Sequence, residues 1–585
     1  MKKQSIFNRL LSYMMRYKWI TLLAFVFVFL TTLVTTALPL LARSYIDRFI
    51  STGHAVAGFY LLVIYYALFL LRVLLTFLGQ YSFAKVAHSV VRDLRQEAFA
   101  NIQKLRMAYF DQTPAGAIVS RLTNDTQAVA DMFSSIFSSF LSSIFILVVT
   151  AVTMFTLNWQ LAVFILMFLP IMLGTIMLYQ RLSTNLLKQV RSRLSDLNVK
   201  LSESIEGMRI IQAFSQEERL TTEFEKINQQ HLDYTNRYLD VNSLLLRPAM
   251  SLLKILAYGV ILSYFGLTWQ VAGITAGVMY AFIQYANQLF NPLIEVMQNY
   301  SVLQTSMVAA ERVFAVIDQK DYEPEQREHP LQIKKGMIEF KHVSFSYDGK
   351  REILKDISFQ VNQGETIAFV GATGSGKSSI INLFLRFYEF DRGQVLIDGH
   401  DIKDYSQAEL RRNIGLVLQE PFLYHGTIAS NIQMYQEDLT RNDIEEAAKF
   451  VDAHDFICQL PLGYDAPVTE RGAAFSSGQR QLIAFARTVA TKPKILIMDE
   501  ATANIDSETE ELIQASLRKM RQGRTTIAIA HRLSTIQDAD CIYVLEKGRI
   551  IESGSHDELL AQNGVYKKMY QLQAGMMEKR LGQKS

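Results

Sequence analysis

Cysteine is scarce in this sequence: the 585 residues contain only Cys458 and Cys541. Their spacing is unlike that of a zinc site, and so few thiols suit a reducing cytosol. The sequence also lacks an excess of charge of either sign, because the formal net charge is only +3. A balance this small does not produce the basic surface that nucleic acid requires, so we predict no nucleic-acid partner. The sequence has no internal repeat that doubles either half.

Apolar runs dominate the chain up to about Tyr300. Half of all residues are apolar, and the mean hydropathy of +0.11 is high for a soluble protein. Six stretches reach the roughly 20 apolar residues with which a helix crosses the hydrocarbon core; they are residues 19–42, 59–78, 132–157, 161–179, 250–269 and 274–295. The first stretch is too long for a signal peptide and has no small-residue cleavage site, so we interpret it as a retained span.

The charges beside these spans predict their orientation. Acidic residues are absent before the first span, whereas five basic residues occur there: Lys2, Lys3, Arg9, Arg16 and Lys18. This excess keeps the N-terminus in the cytoplasm. The links 158–160 and 270–273 carry no charge and are expected to face outward. Since an even number of spans returns the chain to the cytoplasm, we predict a multi-pass plasma-membrane protein with its C-terminal domain in the cytoplasm.

The two inward-facing loops, residues 80–131 and 180–246, are long, charged and helix-periodic. Few helix breakers interrupt them, so we expect the helices to continue past the bilayer as stalks. Four ionisable residues fall within or beside the spans: Arg72, Arg247, Lys254 and Glu295. Each either lines a polar cavity or extends its charged end to the membrane surface.

From about Asp318 onward the sequence is typical of a soluble domain. We predict a transmembrane domain over residues 1–318, a linker over 319–334 and a soluble α/β domain over 335–585. In that domain an apolar strand leads into Gly-Ala-Thr-Gly-Ser-Gly-Lys-Ser at 371–378, and a helical pattern follows. This is the G-x-x-x-x-G-K-[ST] pattern of a phosphate-binding P-loop in the context that supports it.

The residue types of the P-loop suit nucleotide chemistry. Glycines let backbone N–H groups curl around a β-phosphate, and the following helix adds the positive end of its dipole. Lys377 neutralises the β- and γ-phosphate oxygens, and Ser378 offers its hydroxyl to Mg²⁺. The sequence therefore predicts ATP and Mg²⁺ as cofactors.

Two later strands end in chemically useful side chains. The four-residue apolar run 495–498 leads into Asp499 and Glu500, and a second run ends at His531. An aspartate at the carboxyl end of a buried parallel strand can reach the metal through water, and the adjacent Glu500 can orient or deprotonate the attacking water. His531 is positioned to contact a γ-phosphate. We predict Asp499 as a metal-site residue, with Glu500 and His531 as catalytic residues.

With these motifs in order, nearly the whole chain resembles a half-transporter of the ATP-binding cassette (ABC) exporter family, multidrug type. The resemblance implies a membrane domain of six transmembrane helices with long cytoplasmic stalks, followed by a RecA-like P-loop ATPase domain with a helical subdomain. Residues 109–126 and 203–218 resemble the two cytoplasmic loops whose short coupling helices dock on nucleotide domains. Residues 309–318 resemble the end of the sixth helix.

The resemblance also assigns roles within the ATP site. Tyr347 matches the aromatic residue that stacks on adenine, and Gln419 matches the glutamine that joins the metal and senses the γ-phosphate. Residues 469–472 resemble the loop that passes strain between subunits, and Asp506 matches the aspartate that closes the D-loop. The predicted ATP-binding residues are Tyr347, Gly371, Thr373, Gly374, Ser375, Gly376, Lys377, Ser378 and Ser379, and the predicted Mg²⁺ site comprises Ser378, Gln419 and Asp499.

The signature loop of the family, usually Leu-Ser-Gly-Gly-Gln, faces the γ-phosphate held by the other subunit. Here residues 475–479 are Phe-Ser-Ser-Gly-Gln, so the predicted trans-acting residues are Ser476, Ser477, Gly478 and Gln479. A side chain at Ser477 can obstruct or reshape the contact with phosphate. Residues 503–506 also depart from the usual Ser-Ala-Leu-Asp of the D-loop. In heterodimeric exporters of this family, one subunit combines an altered signature with an intact catalytic glutamate, and its partner shows the converse. Because Glu500 is intact here, the resemblance implies a heterodimer whose partner chain has an intact signature and an altered catalytic glutamate; a homodimer that tolerates serine is the alternative.

The function implied is ATP-driven export of small amphipathic, drug-like compounds from the cytoplasm or inner leaflet. The heterodimer would hold one competent and one degenerate ATP site. A homodimeric lipid or peptide exporter is the near alternative. A channel or regulatory protein that uses ATP only for gating is a distant one, since the intact Glu500 favours turnover.

Overall fold

The computed structural model describes residues 5–50, 55–246, 248–268, 275–327, 329–434, 436, 438–469, 472–499, 507–529 and 536–572. The chain divides into two compact units. The first, here called the membrane unit, comprises residues 1–103 and 114–319. The second, here called the nucleotide unit, comprises residues 104–113 and 320–585. The ten residues 104–113 of the first inward-facing loop therefore group with the nucleotide unit.

The membrane unit is built of helices, as expected where no water is available to the backbone. They are α1 (Ile6–Arg16), α2 (Lys18–Tyr45), α3 (Ala55–Ile102), α5 (Ala115–Ser120), α6 (Thr126–Asp131), α7 (Ser138–Leu157), α8 (Trp159–Leu166), α9 (Phe168–Glu206), α10 (Met208–Ala213), α11 (Glu217–Val241), α12 (Pro248–Thr268) and α13 (Ala276–Ile317). Short wider turns connect several of them, for example Met132–Phe137 before α7.

Five helical stretches of the described residues are long and apolar enough to cross a membrane, and they contain the first five predicted spans up to Leu267. The sixth predicted span lies on α13, which has 42 residues but does not meet the same apolar criterion. Its membrane portion carries the polar residues Gln284, Asn287, Gln288, Asn291 and Glu295. Several of these bond to other helices: Tyr258 donates to Asn287 over 2.5 Å, and Gln288 donates to the carbonyl of Thr35 over 3.1 Å. Asn287 and Gln288 on α13 thus face protein.

The stalk prediction is confirmed, because helices run well beyond the predicted spans. Helix α3 extends to Ile102, α9 to Glu206 and α13 to Ile317. Helices α9 and α11 are tied by an ion pair of 2.5 Å between the Lys200 ammonium and the Glu223 carboxylate.

The nucleotide unit contains a six-stranded sheet, a four-stranded antiparallel sheet and a small two-stranded sheet. Their orders are β12-β11-β3-β10-β9-β6, β2-β1-β4-β5 and β7-β8. The strands are β1 (Ile338–Ser346), β2 (Glu352–Val361), β3 (Thr366–Val370), β4 (Arg392–Ile397), β5 (His400–Asp401), β6 (Ile414–Val417), β7 (Gly426–Thr427), β8 (Pro467–Val468), β9 (Ile495–Asp499), β10 (Thr525–Ile529), β11 (Cys541–Glu546) and β12 (Arg549–Gly554). The helices are α4 (Met107–Gln112), α14 (Lys377–Phe384), α15 (Gln407–Asn413), α16 (Ile428–Gln433), α17 (Arg441–Phe450), α18 (His454–Gln459), α19 (Ser477–Ala490), α20 (Ser507–Arg521) and α21 (His556–Ala561).

The central sheet is buried on both faces. Along β3, Ala368 and Val370 join the hydrophobic cluster that includes the helices α16 to α19, whereas Ile367 and Phe369 join the cluster under the antiparallel sheet. Strands β6, β9, β10, β3 and β11 are parallel. Their carboxyl ends therefore meet at one edge of the sheet, which is where ligands bind in such folds.

Candidate functional site

The P-loop joins β3 to α14 at this edge. Gly376 has a φ of +108°, and a Cβ there would lie 2.7 Å from a methyl carbon of Leu354. At Gly371 a Cβ would lie 2.3 Å from the carbonyl oxygen of Leu545. Both glycines are therefore required by the loop geometry, one chiefly by its backbone angle and the other by close approach of a neighbouring chain segment.

The interior of the loop suits phosphate. The Lys377 side chain is 5% exposed, and its ammonium donates to the carbonyls of Gly371 and Ala372 over 2.8 and 3.1 Å. It therefore lies inside the curve of the loop. The Ser375 hydroxyl is buried without a hydrogen-bond partner among the described residues, and a Cβ at Gly374 would have no atom within 4 Å. A loop with an ammonium, a spare hydroxyl and open space fits a phosphate group.

The predicted metal residues lie at the same edge as the P-loop. Asp499 is the last residue of β9, and Gln419 follows β6 by two residues. Both strands run parallel to β10, which pairs with β3. Ser378 is exposed on the first turn of α14. Among the described residues no group of three or more His, Cys, Asp or Glu side chains could hold a metal ion alone. This donor set suits Mg²⁺, which is bound by few protein oxygens together with substrate phosphates.

Three predicted residues, Glu500, Asp506 and His531, lie outside the described residues, as do Glu470 and Arg471 of the predicted strain-passing loop. The chain order still relates two of them to the sheet. Glu500 directly follows the last residue of β9, and His531 follows the last residue of β10 by two positions. Their roles remain predictions.

Tyr347 lies beside the helix that follows the P-loop. Its hydroxyl is 3.0 Å from the hydroxyl of Ser379 and accepts a hydrogen bond of 3.3 Å from Asn382. Its ring packs edge to face against Phe345 and Tyr388, with centroids 4.7 and 4.9 Å away. The side chain is nevertheless 44% exposed. Hydrogen bonds hold the Tyr347 hydroxyl, and Phe345 and Tyr388 pack against the ring. The exposed part of the ring leaves a surface on which a base can stack.

Tyr388 was not identified from the sequence, yet it connects this aromatic cluster to residues 104–113, here called the docking segment. Its hydroxyl donates to the Asp111 carboxylate, and burial raises the pKa of its phenol. Ala108 joins the same hydrophobic cluster as Tyr388. A position four residues beyond the end of α14 carries no local signal for such a contact, although the tyrosine stands among aromatic residues typical of a packed site.

Residues that follow α13, in the segment predicted as a linker, also contact the docking segment. The Arg106 guanidinium lies 2.6 Å from the Asp321 carboxylate, and the Arg106 amide donates to the carbonyl of Asp321 over 3.0 Å. The Glu323 carboxylate in turn accepts from Arg411 over 2.8 Å. The segment predicted as a linker is therefore attached to the nucleotide unit from residue 320 onward.

The signature residues form the beginning of α19. The Ser476 hydroxyl accepts from the amide of Gln479 over 3.2 Å, and the Gln479 side chain accepts from the amide of Ser476 over 3.0 Å. This capping box fixes the first turn of a 14-residue helix. Phe475, which replaces the usual leucine, is buried. Ser477 occupies the first helical position, where serine needs no unusual backbone angle.

Two of the four ionisable residues in the spans line cavities of the membrane unit. Glu295 faces a cavity of about 560 Å³, and Arg72 faces an adjoining one of about 410 Å³. Lys254 is half-buried on α12, and Arg247 lies outside the described residues.

Comparison with known families and proteins gives consistent matches along the chain. The model described as "ABC transporter transmembrane region" matches residues 21–293, and that described as "ABC transporter" matches residues 354–503. The chain is 60% identical to "Putative ABC transporter ATP-binding protein exp8" of Streptococcus pneumoniae, covering 98% of both chains. It is 43% identical to "Probable multidrug resistance ABC transporter ATP-binding/permease protein YheH" of Bacillus subtilis, over 88% of this chain and 77% of that one.

More distant matches include a protein named for a lipid substrate and a solved structure. The chain is 35% identical to "ATP-dependent lipid A-core flippase" of Syntrophus aciditrophicus, over 86% of this chain and 82% of that one. The structure titled "Structure of a bacterial Atm1-family ABC exporter with ATP bound" superposes with a TM-score of 0.77 at 29% identity, covering 95% of this chain and 98% of that chain.

Proposed function

Because the chain belongs to the ABC transporter family and joins one transmembrane domain to one ATP-binding domain, we propose that it is one subunit of a heterodimeric exporter of amphipathic, drug-like compounds. The family and fold make it a multi-pass membrane ATPase coupled to transport, with ATP and Mg²⁺ as cofactors and a cytoplasmic nucleotide domain. Our proposal adds three statements to this: the class of substrate, the presence of a different partner chain, and the inequality of the two ATP sites.

The observation that carries the heterodimer is the combination of an altered signature with an intact Glu500. In the proposed complex this chain supplies the P-loop, Asp499 and Glu500 of the competent site. The partner completes that site with an unaltered signature. The partner's own nucleotide is faced by Ser477, whose hydroxyl lies at the start of α19. A helix N-terminus favours anions, but an added side chain changes how closely the backbone approaches them.

An exposed apolar segment supports the need for a second chain. No residue of α10 is buried, and exposed apolar side chains flank and occupy it: Ile205 (63%), Met208 (42%), Ile210 (66%) and Phe214 (72%). A cytoplasmic segment that exposes several large apolar side chains marks an interaction surface. We assign it to the partner's nucleotide domain, in accordance with its resemblance to a coupling loop.

The names of similar proteins support the proposed substrate class. Among the relatives are proteins named for multidrug resistance and one named as a lipid flippase. A homodimeric lipid exporter is therefore the second candidate. In either case, closure of the nucleotide domains on ATP would be transmitted through the stalks to the membrane unit, and hydrolysis would reset it.

The proposal is tested by the Mg²⁺-ATPase activity of the full chain purified alone in lipid nanodiscs. Glu500→Gln controls for contaminating activity, and nucleotide binding shows that the protein is folded. We expect ATP binding without Glu500-dependent turnover. Turnover that disappears in Glu500→Gln would show that the Phe-Ser-Ser-Gly-Gln loop completes a site, and the homodimer would replace the heterodimer.

A further inference from the structure

A polar cavity of about 560 Å³ lies within the membrane unit, among α2, α3, α7 with its preceding turn, and α13. The residues that line it lie in the predicted spans or within a few positions of a cytoplasmic end, so it opens in the inner half of the membrane. Hydroxyl and amide groups from three helices face it, including Thr31, Thr76, Gln80 and Ser138. Gln80, Ser135 and Glu295 are exposed in this single chain, so the cavity is open on one side.

One face of the α7 region supplies most of these hydroxyls. Ser135, Ser138 and Ser142 are spaced three and four residues apart, which places them on the same side of the chain as it enters and forms α7. Val28 and Leu75 add apolar surface to the same cavity. The cavity therefore combines hydrogen-bonding oxygens with apolar walls.

Glu295 supplies the charge. It is the one ionisable group among the described residues that line this cavity. Ser139 donates to its carboxylate over 3.2 Å. Within the part of the chain that the structure describes, no Lys, Arg or His pairs with it, whereas α13 pairs Arg312 with Asp125 at its cytoplasmic end. A carboxylate within a membrane segment is costly and is retained where a ligand or a water-filled path uses it.

We propose that this cavity, here called the Glu295 cavity, binds the positively charged group of monocationic amphipathic compounds, with Glu295 as counter-ion and the serine and threonine oxygens as acceptors. The proposal rests on the proposed export function and narrows its substrate class. The volume accommodates several rings of an organic molecule. A bare metal ion does not suit it, because hard cations take six or more closely placed oxygen ligands. An anionic headgroup would be repelled by the carboxylate.

Arg72 is not among the residues that line the Glu295 cavity. It lines the adjoining cavity, which shares Thr76 and Gln80 with the Glu295 cavity. These three residues recur at every fourth position of α3 and so lie along one face of it. Arg72 is two helical turns from Gln80, or about 12 Å along the axis. The carboxylate and the guanidinium therefore line two cavities that meet at Thr76 and Gln80.

The test measures direct binding of two probes of similar size to the full chain in nanodiscs: tetraphenylphosphonium, a permanent cation, and triphenylphosphine oxide, which is neutral. Glu295→Gln keeps the side-chain shape and removes the charge. The matched control is Glu311→Gln, which removes a carboxylate from the exposed cytoplasmic part of the same helix. Glu295→Asp retains a charge with shorter reach.

We expect Glu295→Gln to weaken phosphonium binding about tenfold, the effect of losing one partly hydrated ion pair. The neutral probe should be unaffected, Glu311→Gln should change neither affinity, and Glu295→Asp should recover part of the loss. Unchanged phosphonium affinity in Glu295→Gln, or equal weakening for both probes, would overturn the proposal.

The same variants separate this proposal from export itself. If both probes stimulate ATP hydrolysis by the assembled transporter and Glu295→Gln changes neither response, the cation site is refuted while drug export stands. If the wild-type transporter neither binds nor transports either probe, both proposals fall.

Discussion

The contact between Tyr388 and Asp111 gives a sharp prediction, because it joins the nucleotide site to the docking segment. Tyr388→Phe removes one hydroxyl and leaves the ring. The edge-to-face contact with Tyr347, at 4.9 Å, is therefore preserved. What is lost is the hydrogen bond to Asp111, while Ala108 and the Arg106–Asp321 ion pair remain.

The magnitude follows from the environment of the two groups. A hydrogen bond to a charged group contributes about 1.5–3 kcal/mol, and a neutral one about 1 kcal/mol. The Tyr388 hydroxyl is on a buried ring, but Asp111 is exposed and regains water when the bond is lost. We therefore expect about 1–2 kcal/mol, which makes local opening of residues 104–113 about 5- to 30-fold more frequent.

Amide hydrogen exchange of the full chain, read by mass spectrometry, measures this opening. Exchange in peptides covering 104–113 should accelerate by that factor in Tyr388→Phe. The control is Tyr566→Phe, which removes the hydroxyl of a fully buried tyrosine that lies 2.7 Å from His556 in the same unit. Its effect should be confined to the region of His556.

Two results would refute the reasoning. One is unchanged exchange of 104–113 in Tyr388→Phe. The other is full additivity of Tyr388→Phe and Asp111→Asn, since two partners of one bond must be non-additive.

Three further predictions concern the nucleotide unit. Gly371→Ala should weaken binding of a fluorescent ATP analogue about tenfold or more, because its Cβ would lie 2.3 Å from the Leu545 carbonyl oxygen; wild-type affinity would contradict the loop geometry. Phe475→Ala should destabilise the nucleotide unit by about 3–5 kcal/mol in denaturant unfolding, whereas Phe475→Leu should cost less than about 1.5 kcal/mol; equal effects would show that this side chain is not packed in the core. Burial raises the pKa of Asp398, but hydrogen bonds from backbone amides including that of Met337 outweigh it and hold the pKa below its usual 3.8. The stabilisation that the Asp398 carboxylate gives to the fold is therefore present above pH 3.8 and is lost as the pH falls below the lowered pKa. At neutral pH, Asp398→Asn should show the faster amide hydrogen exchange around Met337 that the wild type shows only in acid. Identical exchange in the two proteins at neutral pH would contradict this.

Several features could be predicted from the sequence because the signal for each is local. The P-loop needs glycines in a short turn between a strand and a helix, and that pattern is visible in eight residues. The apolar spans and the charged stalks follow from the period and length of their side-chain patterns. Even the order Asp499, then Glu500, at a strand end indicates chemistry, because a buried parallel strand presents its last residues at the ligand edge.

The sixth span shows where such local signals weaken. Gln284, Asn287 and Gln288 lower the hydropathy of α13, and composition alone leaves it less apolar than the other five. The structure explains the polarity, because these positions include side chains that bond to Thr35 and Tyr258 on other helices. Such partners are distant in sequence, so no window of residues contains the reason.

By itself, the amino-acid sequence determined the family, the two kinds of domain, the residues of the P-loop and the departure at Ser477, since each depends on neighbours within a turn or a strand. Only the tertiary structure showed that residues 104–113 belong to the nucleotide unit, that Tyr388 bonds to Asp111, and that Glu295 faces a hydroxyl-lined cavity while Arg72 faces another. These contacts join residues up to 277 positions apart. Long-range contacts of this kind are set by how buried surfaces fit together, and no local pattern records that fit.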